Sequence, residues 1–218
     1  MIENIMNDAT MNMSTEKKET LAYVAKSLDD AGFETAFIAG VLGNVYGEGT
    51  YGLFEGSNYS SNPSAKPQYL VYMDEHYNYS EEFSYKNISV VGVRKTFEVL
   101  LELEKGGYEG KFGLGSVQWT GSRTMDLVKT YIEVCGIDGY PTSEQMLRAE
   151  SMLIVDELNG DYNYIYQQWL NDYSGKEGAA YNAGSLITLK YERPVNMEAK
   201  AVTRGGYSES LYNIMMGK

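Results

Sequence analysis

Apolar residues recur at helical spacing along most of the chain. In "TEKKETLAYVAKSLDDAGF", which opens at Ser14 or Thr15, Leu21, Val24, Ala25 and Leu28 fall on one face. Gly32 is a natural C-terminal stop for that helix. The next stretch, "ETAFIAGVLGNVYGE", is apolar on nearly every side, which predicts a buried central helix. Within it, Gly40 and Gly43 would let a second backbone approach closely. Further helices are expected in "SVVGVRKTFEVLLELEKGG", stopping at Gly106–Gly107, and in "SRTMDLVKTYIEVCG". In "TSEQMLRAESMLIVDELNG", Thr142 and Gln145 are placed as a capping box. "YNYIYQQWLNDYSG", "KEGAAYNAGSLITLKYE" and "EAKAVTRGGYSESLYNIMM" complete the set.

Two stretches break the pattern. Residues 50–88 are dominated by Gly, Ser, Asn, Pro and Tyr with weak periodicity, and predict loops with short extended pieces. A long loop region in a compact domain is usually functional. "YEGKFGLGSVQW" alternates glycine with bulky residues and predicts a short hairpin or turn-rich strand. Residues 1–13 read as a flexible arm, and 14–218 as one compact domain, since no Pro- or Ser-rich linker interrupts them. There is no internal repeat. The fold class expected is α+β, mainly α-helical, with a buried central helix and a small β/loop lobe.

Composition narrows the partners. A net charge of −12 argues against nucleic acid. It also gives no attraction to anionic membranes or wall polymers, so delivery to such a surface falls to something else. The 20 tyrosines offer flat rings with hydroxyls, which suit a sugar ligand. The single cysteine, Cys135, excludes an internal disulfide and sits in an apolar setting, as a small core residue does. The first twenty residues show no basic start and no continuous apolar segment of a secretory signal. No run approaches the roughly 18 apolar residues of a membrane span.

The chemistry centres on Glu48, a lone carboxylate ending an apolar helix between glycines. Lost hydration and the negative end of the helix dipole both disfavour its charge, so a protonated acid is expected. A protonated carboxyl is what a general acid needs to protonate a glycosidic leaving oxygen. Spacing alone leaves open a helix-end glutamate without a role. Gly113 and Gly115 would let backbone pass close to a ligand, and Gln118 has an amide for sugar hydroxyls or acetamide. Trp119 is either a sugar platform or a core plug. Glu55, Asp74 and Glu75 are candidates for a second carboxylate, though no spacing singles one out. His76 is the only histidine, so zinc spacing is poor, and a Cys135–His76 pair lacks a local signature.

Four motifs carry a resemblance. "IAGVLGNVYGEG" resembles the catalytic helix of the phage-tail lysozyme family through Gly43, Asn44 and Glu48, with Gly49 where serine is usual. "GKFGLGSVQWTGSR" resembles a second family stretch through Gly113, Gln118, Trp119, Thr120 and Arg123. "AAYNAG" resembles the Ala-Tyr-Asn-Ala-Gly motif of lytic transglycosylases, whose Tyr and Asn line the cleft beside the catalytic Glu. "YERP", with Tyr191 and Arg193, and then Arg204 and Tyr207 resemble a structural C-terminal part. The likeness runs from about residue 15 to near 215, and the segment 50–88 does not align.

The resemblance implies a lysozyme-like fold whose lobe forms a cleft, and cleavage of the MurNAc–GlcNAc β-1,4 bond of peptidoglycan. Glu48 would be the acid, with Gln118, Trp119, Tyr181, Asn182 and Tyr51 contacting sugar. No metal and no cofactor is implied. Hydrolysis and transglycosylation to 1,6-anhydro ends both stay open, as does a non-catalytic glycan-binding tail module; a peptide-cutting wall enzyme is the remaining rival. The implied setting is a phage tail or related wall-penetrating apparatus, with its proteins as partners and without membrane insertion.

Overall fold

The computed structural model describes residues 1–56, 64, 66–108, 112–194 and 196–218. It is mainly helical. In chain order the helices are α1 (Ile2–Asn7), α2 (Thr15–Asp30), α3 (Thr35–Gly47), α4 (Gln68–Tyr77), α5 (Tyr79–Glu82), α6 (Ile88–Val91) and α7 (Val93–Lys105). They continue with α8 (Ser122–Cys135), α9 (Ser143–Asn159), α10 (Asn163–Asp172), α11 (Ala179–Ile187) and α12 (Met197–Met215). A π-helical turn, Thr188–Glu192, follows α11. The chain forms two compact units, residues 1–50 with 151–218, and residues 51–150.

The first unit is built around α3. Residues Phe37 through Val45 are all buried, as its all-round apolar sequence requires. Its glycines face other helices at backbone distance. A Cβ on Gly40 would stand 2.4 Å from the Ala183 Cβ of α11, and one on Gly43 would stand 2.8 Å from the Arg204 carbonyl of α12. α2 presents Leu21, Val24, Ala25 and Leu28 inward, and Ser14 caps it by accepting from the Lys17 amide at 3.2 Å. Its C-terminus closes as a Schellman turn. Gly32 lies at φ +87°, and the Phe33 amide donates back to the Leu28 carbonyl at 3.1 Å. Phe33, Phe37, Tyr166 and Trp169 form an aromatic cluster, with ring centroids 4.7 Å apart for Phe37 and Tyr166.

The N-terminal arm carries a short helix. Residues 2–7 are helical, Ile5 is fully buried, and Asn4 Nδ2 donates to the Met215 carbonyl at 3.1 Å. Asp8 then accepts from the Thr10 hydroxyl and the Met11 amide, which fixes the turn into α2. One buried isoleucine and these local bonds hold the arm, and a periodicity search does not register so short a helix.

In the second unit, strand pairing among the described residues is limited to isolated antiparallel bridges: Leu53 with Asn87, Phe54 with Leu114, and Leu114 with Trp119. The last of these is the expected tight hairpin, turning through residues 115–118 with Gly115 at φ +82°. The segment expected to be loops carries α4 and α5 instead. Their buried positions, Leu70, Met73 and Tyr79, are too few to give a periodic signal among the polar residues. Residues 57–63 and 65 of that stretch lie outside the described residues. An aromatic core forms from Phe54, Tyr79, Phe83 and Phe112. The Thr142–Gln145 capping box at α9 is formed in both directions, at 2.9 and 3.3 Å.

Candidate active site

Glu48 is the residue at which α3 ends, with φ −106° and ψ −121°. Its side chain is 19% exposed, so it reaches solvent from a fixed point at the end of a buried helix. It is ion-paired with Nη2 of Arg204, whose own side chain is only 3% exposed. Burial pushes the Arg204 guanidinium down to about 10, which leaves it a cation at neutral pH. Lys17, from α2, donates through Nζ to the Val45 carbonyl at 2.9 Å and also to the Gly49 carbonyl.

These contacts bring two cations that the expectation of a dry, protonated acid did not include. The negative helix end is neutralised by Lys17, and a guanidinium against a carboxylate favours its ionised form. Both cations come from other helices, so spacing along α3 does not reveal them.

Asn44 lies one turn before Glu48 and is fully buried. Its Nδ2 donates to the carbonyls of Gly40 and Gly184, each at 3.0 Å. Its Oδ1 accepts from the Thr188 hydroxyl at 2.7 Å and from Arg204 Nη1 at 3.1 Å. Arg204 therefore bridges Asn44 and Glu48. The reading of Arg204 as structural missed its contact with the acid. The signal in the sequence was slight: one arginine among the small residues of "TRGGYSES".

Tyr181 and Asn182 sit in the first unit on α11, both partly exposed. The Tyr181 ring lies over Gly205, the residue after Arg204, where a Cβ would come within 2.8 Å of Cε2. The Asn182 amide donates to the Gly178 carbonyl one turn back at 3.0 Å. Tyr46 and Tyr207 meet edge to face at 4.7 Å.

The other expected sugar contacts belong to the second unit and are largely committed there. Trp119 is 1% exposed, the burial of a core plug. Tyr51 is 7% exposed and too enclosed to present its ring. Gln118, held at φ +52°, spends its amide protons on the Leu53 carbonyl (3.1 Å) and the Gly115 carbonyl (2.8 Å), which leaves only its oxygen for a ligand. Glu55 accepts from the Gly113 amide at 3.0 Å. Asp74 is ion-paired with Lys66 and accepts from the Ser80 amide and hydroxyl at 2.6 and 2.9 Å. Both acids are tied into local structure. His76 is exposed and stacks on Tyr72 at 4.1 Å. Burial pushes the Cys135 thiol up and it donates to the Tyr131 carbonyl, as a packing residue does.

A buried acid that the sequence reading did not single out lies in the second unit. Glu150 is 1% exposed. Its Oε1 accepts from the Gly52 amide and the Tyr131 hydroxyl, both at 2.7 Å, and its Oε2 from the Ser116 amide at 2.8 Å. It ties three separate segments together from inside.

Among the described residues no cluster of three or more His, Cys, Asp or Glu is placed to hold a metal ion, and no helix is long and apolar enough to cross a membrane. The profile of the phage tail lysozyme family matches residues 19–215. No curated protein and no solved structure matches the chain significantly. The match takes in α3 with Glu48, the hairpin with Gln118, and α11 with Tyr181 and Asn182, so the chain belongs to the phage tail lysozyme family.

Proposed function

We propose that this protein cleaves the MurNAc–GlcNAc β-1,4 bond of peptidoglycan glycan strands, with Glu48 as the general acid. Membership of the family gives the broader activity, degradation of peptidoglycan. The observation that supports Glu48 is its placement: a carboxylate at the end of a fully buried helix, clamped by Arg204 yet reaching solvent. At rest it waits ionised. The acid takes up its proton from bulk solvent before the glycan closes over it, and reacts from that protonated form. That proton passes to the glycosidic oxygen as the C1–O bond breaks, a contribution of about 10²- to 10⁴-fold in rate. In hydrolysis a water oxygen then bonds to C1 and its proton goes to the Glu48 carboxylate. Tyr181 and Asn182 are the sugar contacts proposed in the same unit.

A second reading within this chemistry is favoured by one observation. Glu55, through Oε2, and Asp74 are engaged in local hydrogen bonds, which supports a route that needs no second carboxylate. A single acid suits the lytic transglycosylase route, in which Glu48 acts first as acid and then as base. The MurNAc 6-hydroxyl then attacks C1 and leaves a 1,6-anhydro end. Delivery by a tail particle accounts for an acidic protein acting on an anionic wall.

The test is digestion of purified peptidoglycan with mass spectrometry of the released muropeptides. New glycan ends are expected from the wild-type chain and none from Glu48→Gln. Anhydro ends are lighter by one water than hydrolysed ends and select the second reading. Undiminished cleavage by Glu48→Gln refutes the role of Glu48, and released amino groups without new sugar ends refute glycan cleavage.

A further inference from the structure

We infer that Arg204 is the positioning residue for Glu48 and is itself held by Asn44, so that the three side chains form one relay fixing the acid's place and its resting charge. This rests on the reading of Glu48 as the acid. Asn44 and Glu48 are four residues apart and share a face of α3. The guanidinium from α12 lies alongside Gly47 between them, and a Cβ there would stand 3.3 Å from Arg204 Nε. One fork of Arg204 takes the Asn44 carbonyl oxygen and the other takes the Glu48 carboxylate.

Asn44 is able to hold that fork because nothing about it is free to turn. Both amide protons and both oxygen lone pairs are engaged, with α3, α11, the π-helical turn and α12 all represented. Reversing the amide would set an NH2 group against the Thr188 hydroxyl and the guanidinium. The Arg204 backbone is tied as well, its carbonyl accepting from the Ser208 hydroxyl at 2.7 Å. A lysine at 204 would keep the charge, but as a point charge it lacks the planar fork that reaches two acceptors at once.

The relay also sets charge. In this unit the charged groups brought to the end of α3 are Lys17 from α2, on the helix carbonyls, and Arg204 from α12, on the carboxylate. α11 (AAYNAGSLI) carries no charged residue, and its one titratable group is Tyr181. Tyr207 of α12 is turned to Tyr46. Arg204, paired with the carboxylate itself, is the positioning cation that favours its ionised form before substrate covers it. An acid so held loses activity on the alkaline side at a lower pH than an unpaired one.

The experiment compares wild type, Glu48→Gln, Arg204→Met and Arg204→Lys on purified peptidoglycan. Reducing-end and anhydro-end release is followed across pH. In Arg204→Met the alkaline limb is expected to move up by about one pH unit as the cation is lost. Turnover should fall at least tenfold with KM within about twofold, since the acid is no longer aimed. Arg204→Lys should keep the limb in place while turnover falls. Carbon NMR titration of the wild-type glutamate carboxyls, with Glu48 assigned by difference from Glu48→Gln, covers the case in which Arg204→Met does not fold. A Glu48 midpoint below the ordinary glutamate range is expected. A limb unmoved in Arg204→Met, or a wild-type midpoint at or above that range, overturns the relay. If Glu48→Gln is inactive under either of those results, only the relay fails; if Glu48→Gln stays active, it is the reading of Glu48 that fails.

Discussion

Asn44 Nδ2 donates to the Gly184 carbonyl at 3.0 Å, and this bond joins the helix that ends in Glu48 to the helix that carries Tyr181 and Asn182. The same side chain accepts from Thr188 and Arg204. Asn44→Ala takes an acceptor from the buried Arg204 guanidinium and unties α3 from α11, while the Thr188 hydroxyl keeps the Gly184 carbonyl. The expected loss is about 3 kcal/mol or more in folding stability, read by urea denaturation.

Gly40 tests the close approach of α3 to α11. A methyl group there would stand 2.4 Å from the Ala183 Cβ and 2.7 Å from its backbone carbon, a distance that side-chain movement cannot relieve. Gly40→Ala is expected to cost about 1–3 kcal/mol as the helices are forced apart, despite alanine's better helix propensity. Gly206, on α12 with open space around it, is the control: Gly206→Ala should be neutral or stabilising in the same urea titration.

Glu150 gives stability a pH dependence. Desolvation raises it above the ordinary glutamate value even though the Gly52 and Ser116 amides and the Tyr131 hydroxyl favour the charged form. A carboxyl raised in the folded state holds its proton more tightly folded than unfolded. Its contribution is complete below the unfolded value and declines as pH rises through the folded value. Glu150→Gln abolishes that decline, because the amide does not titrate. The amide also turns an NH2 group toward one of the donors, at about 1–3 kcal/mol. Calorimetric Tm measured from about pH 4 to about pH 8 should be lower in the variant at the acid end and lack the wild-type fall across this range.

Trp119 separates a core role from a platform role. As a plug with 1% exposure it supports folding, so Trp119→Ala is expected to lose about 3–5 kcal/mol. Trp119→Phe should keep most of the activity per folded molecule with an unchanged KM for glycan. A sugar platform would give the opposite result, raising KM with stability little altered.

Much of the architecture was legible because it depends on spacing along one helix. The α2 stripe, the Gly32 stop, the all-round apolar character of α3 and the Thr142–Gln145 box are local patterns, and each forms as read. Tyr79 illustrates what was not legible. It lies among polar loop residues in sequence, yet it is fully buried against Phe83 and Phe112 by contacts from distant segments. The burial of Trp119 and Tyr51 was not legible for a related reason: an aromatic ring suits a core as well as a glycan, and spacing does not distinguish the two.

The sequence by itself determined the helical order, the family and the position of Glu48 at the end of a buried helix, since hydrophobic period and short motifs are written along the chain. Tertiary structure alone decided which cations meet that helix end. Arg204 and Lys17 reach it from α12 and α2, far away in sequence, and electrostatic interaction depends on distance through space.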